Sequence, residues 1–109
     1  MTFIHVEVFI ATKTLSGIKE TFSFEELQRF IQQKFGDERA GVATHISAAC
    51  VANAPLNHPT GYNYLWRISP GEYRAFHPGI DQPHPDRRND RIHPERKDLP
   101  PEFRYLVNE

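Results

Sequence analysis

The alternation of apolar and polar positions predicts a helix that begins near Ser23. Ser23 and Glu26 have the spacing of a capping box, and Phe22 and Leu27 can close a hydrophobic staple around them. Gly36 is a natural end for this helix, because glycine readily adopts the left-handed conformation found just after helices. Three apolar residues share one face: Leu27, Phe30 and Ile31. We expect this face to pack in the core.

A second helix is predicted over residues 40–53. Its apolar stripe consists of Val42, Ile46, Ala49 and Cys50. The opposite face has short side chains, hydroxyls and one arginine, without a carboxylate: Arg39, Ala43, Thr44, Ser47 and Ala48. Such a face suits a helix in the major groove of DNA, where small side chains permit close approach and carboxylates would repel phosphates. It suits equally a helix that is buried on both sides.

The segment that follows predicts a β-hairpin. Aromatic and branched residues fill positions 62–68, Pro70 and Gly71 occupy the central positions of a type II turn, and residues 73–76 form the return strand. The sequence thus predicts two helices followed by a two-stranded ribbon.

The predicted register of this hairpin brings two arginines together. With the turn centred on Pro70 and Gly71, Ile68 faces Tyr73, and Arg67 faces Arg74. Like charges in opposite positions are unfavourable unless an anion lies between them. A phosphate would serve, as would either of two acidic side chains: Glu20 and Glu38.

The beginning of the chain can be interpreted as a strand or as a helix. Branched residues alternate in the pattern of a strand with one apolar face: Ile4, Val6, Val8 and Ile10. The element continues without a break to Leu15, which is long for a strand and usual for a helix. We predict a helix over residues 2–15, because the architecture implied by the rest of the chain requires one.

Proline divides the chain into a helical half and an extended half. All nine prolines lie at or after Pro55, and six of them lie at or after Pro78. We therefore predict a core over residues 1–76 and a C-terminal arm over residues 77–109 that packs on the core. A short terminal helix, capped by Asp98, would place three apolar residues against the core: Phe103, Leu106 and Val107.

Charge is distributed unevenly, although the 109 residues have a formal net charge of only −1. No acidic residue occurs from Arg39 to Gly71, so we expect a neutral or electropositive surface that joins the helix over 40–53 to the hairpin. Cys50 is the only cysteine and is expected to be buried. No membrane span or secretory signal is indicated. We predict a cytoplasmic protein without a membrane partner.

Five segments share a resemblance: FSFEEL at 22–27, GVATHI at 41–46, CVANAP at 50–55, YLWRI at 64–68 and GEYR at 71–74. They resemble an uncharacterised bacterial and archaeal family of small winged-helix-like domains that has no assigned activity. The likeness continues through HPDR at 84–87 and LPPEFRYL at 99–106. It implies an α+β winged helix-turn-helix, in which three helices precede a hairpin wing. By analogy of fold, such domains mostly bind duplex DNA, and a minority bind other proteins.

These observations predict a non-catalytic protein that binds nucleic acid, with duplex DNA as the expected partner. Four residues are predicted to contact the groove: Arg39, Thr44, His45 and Ser47. Four arginines are predicted to contact phosphates, two in the wing and two in the arm: Arg67, Arg74, Arg87 and Arg88. The alternative is a protein–protein interaction module, or a subunit of a larger nucleic-acid-processing system of the restriction type.

Metal binding and catalysis have weaker support in the sequence. The histidines of the arm match no zinc spacing: His77, His84 and His93. Asp90 with Glu95 and Lys97 has some likeness to a nuclease motif, but the interval is short and the setting is rich in proline. We therefore predict no metal site, no cofactor and no enzymatic activity.

Overall fold

The computed structural model describes residues 2–108. Its central element is helix α1, Ile4–Ser16, in which seven consecutive residues from Val6 to Thr12 are buried. The prediction of a helix here is confirmed. A helix that is apolar nearly all round is one that other elements enclose, and α1 packs against the second helix, the sheet and the end of the arm. This enclosure explains why the sequence lacks the one-sided pattern of a surface helix.

Helix α2, Phe24–Phe35, begins as predicted. The Ser23 hydroxyl accepts a hydrogen bond from the Glu26 backbone N–H at 3.1 Å, and the Glu26 carboxylate accepts one from the Ser23 N–H at 3.0 Å. The helix ends at Gly36, which has a φ of 65°. Phe22 and Leu27, the two members of the predicted staple, are both buried in the core. The capping box and the glycine end are confirmed.

The next helix is shorter than predicted. Helix α3, Gly41–Thr44, continues directly into a π-helical stretch, His45–Ala49, and we call the two together the third helix. The third helix ends at Ala49, four residues before the predicted end. The predicted apolar stripe is nevertheless buried: Val42, Ile46, Ala49 and Cys50. Burial strongly raises the pKa of the Cys50 thiol, so the thiol stays protonated.

Three antiparallel strands form one small sheet in the order β1-β3-β2. Strand β1, Phe22–Ser23, pairs with β3, Glu72–Ala75, which pairs in turn with β2, Leu65–Ser69. The predicted hairpin is therefore present, with Gly71 at a φ of 77° in its turn.

The predicted register of the hairpin is wrong by one residue. Arg67 lies opposite Tyr73, and Trp66 lies opposite Arg74. Between the pair Arg67 and Tyr73 and the next pair, Ser69 and Glu72, strand β2 contains one more residue than β3. This extra residue, Ile68, forms a β-bulge. The two arginines do not face each other.

The arm consists of short 3-10 turns joined by extended segments: Pro85–Arg87, Arg96–Asp98 and Pro101–Leu106. Leu99, Phe103 and Val107 belong to the same hydrophobic cluster as α1 and the sheet. The described chain is thus an α+β fold with one core to which the arm contributes. Within residues 2–108, no helix has both the length and the apolar character needed to cross a membrane.

Candidate functional site

The third helix presents an uncharged outer face. Thr44 and Ser47 are exposed, and His45 is half-buried. The Ser47 hydroxyl donates a hydrogen bond of 2.8 Å to the Ala43 carbonyl, and the His45 Nδ1 lies 2.8 Å from the Gly41 carbonyl. These bonds within the helix orient both side chains. The lone pairs of the Ser47 hydroxyl oxygen and the Nε2 atom of His45 remain available to a ligand.

Arg87 holds the C-terminal end of the third helix. Its side chain is fully buried and donates hydrogen bonds to four carbonyls, those of Ala48, Ala49, Ala54 and Pro55, at 2.6 to 3.3 Å. Helix ends leave carbonyls without partners, and a positive charge there is favourable. The phosphate contact predicted for Arg87 does not fit this placement, because the guanidinium is enclosed within the protein.

Arg39 is held by acidic side chains at the N-terminal side of the third helix. Its guanidinium makes a two-pronged contact with Asp37, with the Nη2 atom 2.6 Å from Oδ2, and it also donates to the Thr2 carbonyl at 2.8 Å. The Glu7 Oε2 atom lies 3.6 Å from Arg39 Nη2. The side chain predicted to contact a groove is therefore neutralised by its neighbours.

Glu7 is an acid in the middle of the core, with 2% of its surface exposed. Burial, with a further contribution from Asp37, raises the pKa of Glu7 to about 8. The hydrogen bonds from Arg39 instead lower the pKa of Asp37. Glu7 and Asp37 together thus carry one negative charge at neutral pH, which balances the single positive charge of Arg39.

Asn53 fixes the hairpin beside the third helix. Its side-chain carbonyl accepts a hydrogen bond from the Arg67 N–H, and its amide donates one to the Arg67 carbonyl, both at 2.8 Å. The Arg67 guanidinium itself is exposed and, among residues 2–108, makes no ion pair or hydrogen bond. This predicted site residue is available to a ligand.

Arg74, the other predicted wing arginine, is occupied. Its guanidinium forms a two-pronged contact with Asp81 at 2.7 and 2.9 Å and lies over the Trp66 ring, 5.2 Å from its centre. The shift in register explains the difference from prediction, since Arg74 now stands opposite Trp66. The described anion that pairs with this arginine is Asp81 of the arm, which was not among the candidates considered from the sequence.

The arm also brings acidic groups to the surface that the sequence predicted to be free of them. Asp86 accepts a hydrogen bond from the Leu56 N–H, and the Asp90 carboxylate lies against Gly61. Arg88, by contrast, is exposed and unpaired within the described chain. Residues 39–71 contain no acidic side chain, but acidic side chains of the arm lie against them in the folded protein.

Sequence reasoning missed a row of four aromatic rings along the third helix. Phe3 lies 5.8 Å from His5, His5 stacks on Tyr62 at 4.2 Å with 6° between the ring planes, and Tyr62 lies 6.4 Å from His45. Burial lowers the pKa of His5 to about 4, so its ring is neutral at physiological pH. His5, one of two polar residues in the segment 4–10, was the available signal.

No family model, curated protein or solved structure matches this chain. The resemblance seen in its sequence segments therefore stays a prediction. The site has to be interpreted from its own geometry.

Proposed function

We propose that the protein binds nucleic acid, with duplex DNA as its partner, and that it does so without catalysis. The binding surface consists of the outer face of the third helix and the exposed edge of the hairpin. The observation that carries this proposal is an uncharged helix face, Thr44 and Ser47, close in the chain to a hydrogen-bonded link to the hairpin. Asn53, four residues after the third helix, binds the backbone of the unpaired Arg67.

The order of the elements supports a winged-helix interpretation. A short strand lies between the first two helices, the hairpin follows the third helix, and all three strands form one sheet in the order β1-β3-β2. In helix-turn-helix proteins the recognition helix lies in the major groove. Small hydroxyl side chains suit close approach to base edges, and Thr44 and Ser47 take this role here.

Few arginines on the proposed surface lack a carboxylate partner, and their number sets the electrostatic part of the affinity for DNA. Arg67 and Arg88 are exposed and have no carboxylate partner within the described chain, whereas Arg39 and Arg74 are paired with carboxylates. We assign the two exposed arginines to phosphates. Two such contacts imply a slope of roughly −2 for the logarithm of the binding constant against the logarithm of salt concentration.

A salt titration tests the proposal. Fluorescence anisotropy of a labelled random duplex of about 20 base pairs, between about 50 and 200 mM salt, should give this slope. Arg67→Ala and Arg88→Ala should each reduce the slope by about 1. Arg29→Ala is the matched control, because Arg29 is exposed on helix α2 and is not part of the proposed surface. Absence of salt-dependent binding by the wild-type protein at micromolar concentration would overturn the proposal.

A protein-interaction module is the second candidate. It is favoured by the pairing of Arg39 with Asp37 and of Arg74 with Asp81, which leaves a nearly neutral surface on a chain of net charge −1. A surface that contacts proteins needs no excess of positive charge, whereas affinity for nucleic acid depends strongly on it. The same titration separates the two, since this candidate predicts no salt-dependent affinity for DNA.

A further inference from the structure

The row of aromatic rings borders two pockets that share one wall. Tyr62 and Thr60 line both of them. The first pocket, of about 380 Å³, is completed by the third helix through Thr44 and His45, and by His58. The second, of about 320 Å³, is completed by side chains of the chain start and of the arm: Phe3, His5 and Arg91. Both volumes lie at the lower end of the range for small-ligand sites. We call the two pockets together the Tyr62 groove.

The position of Tyr62 is fixed by the backbone around it. Its N–H donates a hydrogen bond of 2.9 Å to the Ala49 carbonyl at the end of the third helix, and the next N–H, of Asn63, donates to the Arg91 carbonyl at 2.8 Å. His5 is stacked on the Tyr62 ring, and the His5 Nδ1 lies 3.0 Å from the Tyr64 hydroxyl. The groove therefore has a wall that is ordered before any ligand arrives, which lowers the entropic cost of binding.

The chemistry of the lining selects a planar group attached to an anion. Aromatic faces stack on flat rings, and the hydroxyls of Thr44 and Thr60 can meet the polar edge of such a ring. Arg91 is half exposed beside the groove, with Glu95 as its described ion-pair partner at 3.4 Å. Among the described residues that line either pocket there is no carboxylate. Arg91 is thus the charged side chain, among those that line the groove, that can contact an anion next to the ring.

We propose that the Tyr62 groove binds an unpaired nucleobase of the DNA strand that the third helix contacts. This inference rests on the proposed function, because it extends the same surface. A base is favoured over an aromatic side chain of a protein because His45 and Thr44 belong both to the groove and to the helix face assigned to DNA. Stacking on tyrosine and histidine is the usual way in which proteins hold bases that have left a helix. The protein then recognises duplex DNA that has an unpaired base beside it.

Comparison of two oligonucleotides tests the proposal. One is a blunt random duplex, and the other is the same duplex with a short single-stranded overhang that contains 2-aminopurine. We expect the overhang to raise the affinity of the wild-type protein about tenfold. We also expect the fluorescence of 2-aminopurine to be quenched on binding, as the base stacks. Equal affinities for the two oligonucleotides would overturn the inference.

Variants at one position assign the effect to the groove. Tyr62→Ala should abolish the preference for the overhang while leaving the affinity for the blunt duplex unchanged, and Tyr62→Phe should retain the preference because the ring remains. A preference that survives in a folded Tyr62→Ala protein overturns the inference. Should that variant not fold, NMR of the wild-type protein decides. The ring protons of His5 should then shift with the overhang and not with the blunt duplex, while those of His77, which lies against Asp81 outside the groove, should be the same with both.

The outcomes separate this inference from the proposed function. Salt-dependent binding of the blunt duplex without a preference for the overhang overturns the inference alone. Absence of binding to either oligonucleotide overturns both. Titration with a short tryptophan-containing peptide tests a protein partner. Shifts of the His5 and His45 rings with the peptide, and none with the overhang, would overturn the assignment to a nucleobase.

Discussion

Arg87 and Ala49 lie 38 positions apart in the sequence, and yet the Arg87 Nη1 atom donates a hydrogen bond of 2.8 Å to the Ala49 carbonyl. The last carbonyls of a helix lack hydrogen-bond donors within the helix. Here the Arg87 guanidinium donates to two of these carbonyls and adds a favourable positive charge. Gly61 makes room for it, because a Cβ atom there would lie 3.0 Å from the guanidinium and 2.5 Å from the Asp90 carboxylate. A residue of the arm thus completes the third helix.

We predict that Arg87→Leu destabilises the protein strongly. The change removes the side-chain donor of four carbonyls, of which those of Ala48 and Ala49 keep a backbone N–H donor and those of Ala54 and Pro55 lose their described donor. We expect the loss to cost about 3 kcal/mol of unfolding free energy. Urea denaturation followed by circular dichroism measures it. Arg88→Leu is the matched control and should change the midpoint little, because that neighbouring arginine is exposed. Equal effects of the two substitutions would contradict the role given to Arg87.

We predict that Asn53→Ala loosens the hairpin. The substitution removes both hydrogen bonds to the Arg67 backbone, and we expect a loss of about 1 kcal/mol in stability and faster amide hydrogen exchange at Arg67. Asn57→Ala serves as the control, because Asn57 is exposed and no hydrogen bond of its side chain occurs within the described chain. An unchanged exchange rate at Arg67 would show that Asn53 does not hold the hairpin.

We predict that stability declines as the pH rises from about 6.5 to 8. Glu7 has an ordinary pKa of 4.5 and a pKa of about 8 in the folded protein, so the folded state binds more protons between these values. Its contribution is complete below pH 4.5 and is lost as the pH rises toward 8. His5, with its lowered pKa, has the opposite effect below pH 6.5, so the decline is clearest above that pH.

The decline between pH 6.5 and 8 should amount to roughly 1.5 kcal/mol of unfolding free energy. Glu7→Gln should flatten this profile, because the amide does not titrate. Glu25→Gln, at an exposed position in the first turn of α2, should leave the slope intact. A slope that persists in Glu7→Gln would show that another group causes the pH dependence.

We predict that Ser23→Ala destabilises the protein by about 1 kcal/mol, the usual cost of losing an N-cap. The substitution removes the hydroxyl that accepts a hydrogen bond from the Glu26 N–H at the start of helix α2, and it leaves the backbone N–H that donates to the Glu26 carboxylate. Thermal or urea unfolding measures the change. Ser16→Ala is the control, because the Ser16 hydroxyl bonds only an exposed carbonyl at the end of α1. A midpoint that is unchanged by Ser23→Ala would contradict the stabilising role of the box.

Features that depend on residues close together in the chain could be predicted from the sequence. Ser23 and Glu26 are three positions apart, and the glycines at the end of α2 and in the hairpin turn are each needed for a positive φ. The burial of Cys50 followed from the spacing of apolar residues on its helix. Each of these needed only local geometry.

Features that depend on distant partners could not be predicted. The burial of Arg87 is set by carbonyls 32 to 39 positions away, and an isolated arginine in a charged segment is normally exposed. The hairpin register depended on the bulge at Ile68, which shifts the pairing by one residue. The Tyr62 groove is formed by residues from the chain start, the third helix and the arm. No local pattern brings these segments together.

The cap that Arg87 places on the third helix has a consequence for synthesis. A nascent chain can form the capping box of α2 and the hairpin early, whereas the guanidinium that closes the third helix emerges from the ribosome only after all of these. Products that end before residue 87 therefore lack the cap of the third helix, and they also lack Leu99 and Phe103, which belong to the core. The third helix therefore reaches its final state only after translation of the arm, and not as the helix itself is made.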